Sequence, residues 1–281
     1  MAAFATTSDP TFQLPRLLCL HGGGVTAEVF RLQARAFVSA LSPYFRLVFA
    51  DGPFFCDAGP GVLPVYADLG PYRRWLRWQP HHLDVDSETT VEEIRYQLEL
   101  AMEEDDRRGA VGEWAGFLGF SQGGKLAASL LFEAQKRRER REGKIDGEET
   151  MLWKQNWRFA VCMAARAPLV ALSPGSEKIS SFVSAGGVSE GFDFEAAGKP
   201  GPEALLRAPT LHIHGLKDPG LHLHQILLDA YCAPGSATLV EWDGDHRVPL
   251  KAKDMEGITR AILETAKKGG VEPGKKQDLE T

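Results

Sequence analysis

Trp114-Ala115-Gly116-Phe117-Leu118-Gly119-Phe120-Ser121-Gln122-Gly123-Gly124-Lys125 is the stretch that decides the fold. An apolar run, 114–118, leads into G-x-S-x-G at 119–123, and a good helix former follows from Lys125 to Glu133. Strand, tight turn and helix in that order are the setting of a nucleophile elbow, with Ser121 at its tip. The flanking glycines have a physical reason: side chains at 119 and 123 would obstruct the close backbone approach of a strained turn. The helix starts directly after Ser121, so its first N–H groups aim at negative charge formed there. A plain strand-to-helix turn is the competing reading of the same residues.

Outward from the elbow, five further apolar runs stand at 16–20, 46–50, 158–163, 210–214 and 237–242. Each is nearly continuous instead of alternating, as in strands covered on both faces of a parallel sheet. Helical periodicity fills the gaps. Thr26 opens a stretch with Phe30, Ala34, Phe37 and Leu41 on one face, and Thr90 with Glu93 reads as a capping box before Val91, Ile94, Leu98 and Met102. Alternation on this scale predicts an α/β fold, a mostly parallel central sheet with helices on both faces. Segments 51–78, 133–157 and 173–202 stand outside the rhythm and are expected to be loop insertions, which form a cap. No internal repeat is present. One domain over 16–266 is expected, with an N-terminal extension at 1–15 and a disordered tail at 267–281.

A net charge of −6 argues against nucleic acid or an anionic membrane surface as the main partner. The first fifteen residues lack the basic and apolar regions of a signal peptide, and no apolar run approaches the ~20 residues needed to cross a bilayer. Cys19, Cys56, Cys162 and Cys232 have no CxxC spacing, and Cys19 and Cys162 lie inside strand-like runs. A reduced, cytoplasmic protein is expected.

A serine at its free pKa needs a base, and the base an orienting acid. Downstream, the 210–214 run ends in Gly215-Leu216-Lys217-Asp218-Pro219, and the 237–242 run ends in Asp243-Gly244-Asp245-His246. Both loops leave the carboxyl edge of the sheet, where ligands bind in open α/β folds. His246 is therefore the expected base and Asp218 the acid, with Asp243 and Asp245 as alternatives that would have to fold back from His246's own loop. His81 and His82 are read as solvated. His212, His214, His222 and His224 admit a metal reading, but no carboxylate or Cys completes a ligand set, so satisfied structural histidines are expected and no metal. Leu18-Cys19-Leu20-His21-Gly22-Gly23-Gly24 runs a strand into a glycine-rich turn that lacks the spacing of phosphate loops. It is expected to supply one oxyanion N–H, from Gly23 or Gly24, beside the N–H of Gln122.

Five blocks, LCLHG, FADGPF, GFSQGG, HIHGLKDPG and GDHRVP, together resemble the FSH family of serine hydrolases, over residues 17–248 and in the family's order. The resemblance implies the α/β-hydrolase fold, the triad Ser121, Asp218 and His246, and ester or thioester hydrolysis with no cofactor. The Pro- and aromatic-rich segment after FADGPF is similar to that of the fungal branch, which includes thioesterases of polyketide gene clusters. A thioesterase releasing or editing a polyketide acyl chain in secondary metabolism, with a synthase acyl carrier domain as partner, is thus the expected role. A carboxylesterase on free small-molecule esters is the alternative, and a non-catalytic binding protein the alternative of another class. Phe54, Phe55, Tyr66, Tyr72, Trp75 and Trp78 are candidates for an apolar substrate pocket. Arg166 departs from an apolar lining: it binds a substrate carboxylate or points to water. The basic run Lys136–Arg141 lies ~25 Å along the helix from Ser121, too far to serve the nucleophile directly, and reads as a solvated helix end.

Overall fold

The computed structural model describes residues 9–141 and 150–275. Six strands, β1 (Arg16–Leu20), β2 (Arg46–Ala50), β3 (Trp114–Phe120), β4 (Phe159–Met163), β5 (Thr210–Gly215) and β6 (Ala237–Trp242), form one sheet. The spatial order is β6-β5-β4-β3-β1-β2, and every pairing is parallel. Each expected strand is present, with bounds within two residues.

The longer helices are α1 (Ala27–Gln33), α2 (Arg35–Leu41), α3 (Ser87–Arg107), α4 (Gln122–Arg141), α5 (Leu221–Tyr231) and α6 (Ala252–Lys268). Alternate strand residues face opposite ways, and two cores result. Leu18, Leu20, Phe117, Ala160 and Cys162 pack with Ile94, Leu98 and Met102 of α3, Leu126 and Leu130 of α4, and Leu227 of α5. Leu17, Cys19, Leu118, Val161 and Ile213 pack with Phe30, Phe37, Ile258 and Ile262 on the other face. Covering on both sides explains why these strands read as unbroken apolar runs.

Local signals needed correction in places. Thr26 does cap α1, accepting from Val29 N–H at 3.2 Å, but the predicted stretch breaks at Ala34 into two helices. Helix α3 starts three residues before the predicted capping box. Its cap is Asp86, which accepts from Thr89 N–H at 2.9 Å, while Thr90 is buried inside the helix. The boundary expected at 267 falls within α6, and the chain then stays on the body: Val271 is fully buried and Gly274 N–H donates to Tyr44 O. Residues 1–8 of the expected extension, 142–149 of the charged segment and 276–281 of the expected tail lie outside the described residues. Among the described residues no helix is long and apolar enough to cross a membrane.

The topology positions the site. From β1 the chain moves outward to β2, then returns to place β3 on the other side of β1. Connections therefore diverge between β1 and β3, and a crevice opens at the carboxyl ends of those two strands. The elbow follows β3 and the glycine loop follows β1, with Leu20 directly paired to Gly119. Two insertions lie over this edge. Phe54–Phe55 pairs with Arg73–Arg74, and Val170–Ala171 with Val183–Ser184. The insertions meet where Ser189 N–H donates to Arg77 O at 3.3 Å.

Candidate active site

β3 ends at Phe120 and α4 begins at Gln122, so one residue turns the corner. That residue is Ser121, at φ 54°, in the left-handed region that costs a side-chain-bearing residue about 1–2 kcal/mol. Two backbone hydrogen bonds hold it there: Ser121 N–H donates to Met163 O (2.8 Å) and Lys125 N–H to Ser121 O (3.1 Å). A Cβ at Gly119 would come 2.1 Å from Gly123 O, and one at Gly123 would come 2.1 Å from Leu20 O. Both glycines are therefore required by close approach, as the motif implies.

The loops after β5 and β6 converge on this corner. Ser121 Oγ lies 2.9 Å from His246 Nε2, and His246 Nδ1 lies 2.6 Å from Asp218 Oδ2. The second carboxylate oxygen, Asp218 Oδ1, accepts from Gly220 N–H at 2.8 Å. Burial works to raise the Asp218 carboxyl, but the hydrogen bonds from His246 and Gly220 outweigh it and hold the group below the usual carboxylate range. An ionised, oriented carboxylate behind the imidazole results. Asp243 and Asp245 do not compete for this place. Asp243 pairs with Lys217 at 2.6 Å and Asp245 with Arg247 at 3.4 Å, all four exposed.

The structure separates the two expected loop donors. Gly24 N–H donates to Arg73 O at 2.9 Å, so it is not available to a substrate. Gly24 sits at φ 78°, where a Cβ would meet Gly59 N at 2.2 Å. Of the two expected loop donors this leaves Gly23, whose N–H has no partner among the described residues. The loop is clamped by His21, which is fully buried. Gly52 N–H donates to its Nε2 (2.8 Å), so Nδ1 carries the proton and donates to Gly22 O (2.6 Å). Burial pushes His21 down to about 4, and it stays neutral in this role. Its place directly before three glycines was the signal in the sequence that could have marked it.

The cap is tied to the elbow by Gln122. Its side-chain Oε1 accepts from Trp75 N–H (2.7 Å) and Leu76 N–H (3.1 Å), and its Nε2 donates to Leu76 O (3.0 Å). Trp78 lies against Gly23, close enough that a Cβ there would sit 2.7 Å from the indole. The other aromatic candidates are placed differently. Trp75 is fully buried, with its indole N–H donating to His21 O (3.0 Å), so it braces the loop and does not line a pocket. Tyr72 packs with Val25, Val29 and Val62 and donates its hydroxyl to Tyr66 O, and both tyrosines belong to that small cluster. Phe54 and Phe55 lie under the guanidinium groups of Arg74 and Arg73. Arg166 is exposed, yet it is laid along the acid loop: a Cβ at Gly220 would come 2.6 Å from its Nε.

Histidines behind the triad form a second group. His212, His214 and His224 are buried, while His222 is exposed, so the four do not converge. The expectation that they would be satisfied fails in part. Both ring nitrogens of His214 and His224, and Nδ1 of His212, have no hydrogen-bond partner among the described residues. Burial pushes His212 and His224 down to about 3 and His214 to about 4, so all three are neutral. Asp218, His224 and His246 are grouped closely enough to be considered as metal ligands, but two of the three already bond to each other. His82, expected in solvent, is buried edge-on against Trp78 at 4.2 Å between ring centroids.

Comparison with known proteins places the chain in a family. A family model described as Serine hydrolase (FSH1) matches residues 11–258. The chain is similar to Esterase pigG of Monascus ruber, 46% identical over 96% of this chain and 98% of that one. It is also similar to Esterase claE of Penicillium crustosum, 44% identical over 95% and 98%. Among solved structures it is similar to a Bacillus cereus carboxylesterase, at 15% identity, with 92% of this chain and 91% of that chain covered and a TM-score of 0.48. With a serine elbow at the switch point of a parallel sheet, and a family match over most of its length, the chain belongs to the FSH1 family of serine hydrolases, is an ester-hydrolysing enzyme and has the α/β-hydrolase fold.

Proposed function

We propose that Ser121 is the nucleophile, His246 the general base and Asp218 its orienting acid, in two-step acyl transfer. The observation that carries this reading is the unbroken pair of contacts, 2.9 Å and 2.6 Å, from hydroxyl through imidazole to carboxylate. His246 Nε2 takes the Ser121 proton as Oγ attacks the carbonyl carbon. The oxyanion is met by the N–H groups of Gln122 and Gly23, neither of which has another partner among the described residues. The protonated imidazole returns its proton to the departing oxygen or sulfur. Water, deprotonated by the same imidazole, then attacks the acyl-enzyme and releases the acid.

The ester we assign is a thioester of a polyketide acyl chain, delivered on an acyl carrier domain and released or edited during secondary metabolism. Supporting this is the likeness of the aromatic insertion to the fungal branch of the family. A carboxylesterase acting on free esters is the second reading, favoured by the name esterase carried by the fungal relatives. Four unpaired cysteines, three of them buried, support a reducing, cytoplasmic setting. Matched thioester and oxoester pairs, with the same acyl chain on a small thiol, a small alcohol and a carrier domain, test the assignment. The thioester, and above all the carrier-bound one, should have the higher kcat/KM. A higher value for the free oxoester moves the assignment to a carboxylesterase.

A further inference from the structure

One cation of this site has no use in the mechanism above. Lys125 follows Ser121 by one helical turn and is 6% exposed. Among the described residues it forms neither an ion pair nor a side-chain hydrogen bond. Three things oppose a charge at this place. Burial strips the ammonium of water. Lys125 belongs to the first turn of α4, the positive end of the helix dipole, and that turn holds no acidic residue. Arg166 adds a like charge: burial above all, and then this charge, push the amine down to about 7.

Arg166 itself has no anionic partner among the described residues. It rises from the turn after β4, which Ala165 packs onto α4 at Gly124 (2.9 Å from a Cβ built there). Its guanidinium lies along Gly220, whose N–H holds Asp218. Two unpaired cations thus flank the elbow, one on the nucleophile helix and one over the acid loop, in a chain whose net charge is −6. An anion held by both would relieve every one of these terms.

We propose that Lys125 and Arg166 form a subsite for a carboxylate or comparably acidic group carried on the acyl part of the substrate. The inference rests on the ester-hydrolase reading of Ser121. It deepens that reading by naming the substrate class as acidic acyl chains. Arg166 supplies a fork that can bind a carboxylate through two hydrogen bonds, and Lys125 a buried point charge.

The test compares aryl hydrogen adipate with aryl methyl adipate, which match in chain length and leaving group and differ in the one charge. The wild-type enzyme should favour the free acid by about ten- to hundredfold in kcat/KM, mainly through KM, the range expected of charge-assisted hydrogen bonds in a partly desolvated site. Arg166→Gln and Lys125→Met should each reduce that ratio about tenfold or more, and Arg166→Lys should restore part of it. Equal or better use of the methyl ester by the wild type overturns the proposal, as does a ratio unchanged in both variants. If neither ester turns over, the hydrolase reading is at fault, and competition decides the subsite separately. Adipate should slow fluorophosphonate labelling of the wild type but not of Arg166→Gln, and equal slowing in both contradicts the proposal.

Discussion

His246 and His224 approach the same carboxylate, Asp218, and their rings are 6.2 Å apart, yet only one of them is equipped as a base. His246 is 31% exposed, bonds Asp218 at 2.6 Å through Nδ1 and meets Ser121 through Nε2. His224 is fully buried, stands 3.7 Å from the same oxygen, beyond hydrogen-bond range, and has no hydrogen-bond partner at either nitrogen among the described residues. Behind it His214 and His212 continue the buried group. A carboxylate nearby therefore does not make a histidine reactive. Contact at both nitrogens does, with enough water access to carry a positive charge for part of the cycle. In the proposed mechanism the loops hold the chemistry, while the buried array holds neutral imidazoles.

The sharpest way to break this contrast is at the shared carboxylate. Asp218→Asn keeps the shape but leaves the wrong tautomer facing Ser121, and kcat should fall by about 10⁴. His224→Gln, by contrast, removes a group with no hydrogen bond to lose, and kcat should change by less than about fivefold. Steady-state hydrolysis by the two variants side by side measures the difference. Comparable losses would place His224 in the machinery and erase the distinction.

The buried group makes its own prediction, for stability against pH. His21, His212, His214 and His224 are held at about 4, 3, 4 and 3 in the fold, against ~6.5 when exposed. Below that ordinary value the unfolded chain binds protons that the folded one refuses, so stability falls as pH drops from about 6.5 towards about 4. Denaturant midpoints of Ser121→Ala protein at pH 7 and pH 5 should show a clear decrease. A flat profile would mean that these rings are charged, or hydrogen-bonded in their charged forms.

Much of this was legible beforehand, and the reasons are physical. The six strands read correctly because covering on both faces demands unbroken apolar runs, and the convergence of Ser121, Asp218 and His246 was legible because each lies just past a strand at one edge. Helix α3 was misplaced because its first turn is polar and carries no periodicity, although Asp86 stood at the cap. Within the aromatic insertion, residue type could not separate Trp75, which braces His21, from Trp78, which covers Gly23. Loop conformation decides that, and it has no period to read. Gly23 and Gly24 were alike in sequence, and only the hydrogen bond from Gly24 N–H to Arg73 O separates them. Lys125 reads in the sequence as an ordinary helix former, and only the fold buries it.

The smallest effect is expected where the sequence left alternatives open. Asp243→Asn and Asp245→Asn each remove a surface ion pair, worth about 0–1 kcal/mol, and should leave kcat/KM within about twofold of the wild type. A loss near that of Asp218→Asn at either position would move the acid to it.

The central claim is that Ser121 is activated by the chain of contacts through His246 to Asp218. Fluorophosphonate labelling followed by peptide mass mapping tests it most directly, because the reagent reacts with an activated serine and reports the position. One adduct per chain, on Ser121, lost in Ser121→Ala and much slowed in His246→Ala, is the predicted result. An adduct on another residue, or labelling that persists in Ser121→Ala, would contradict the account.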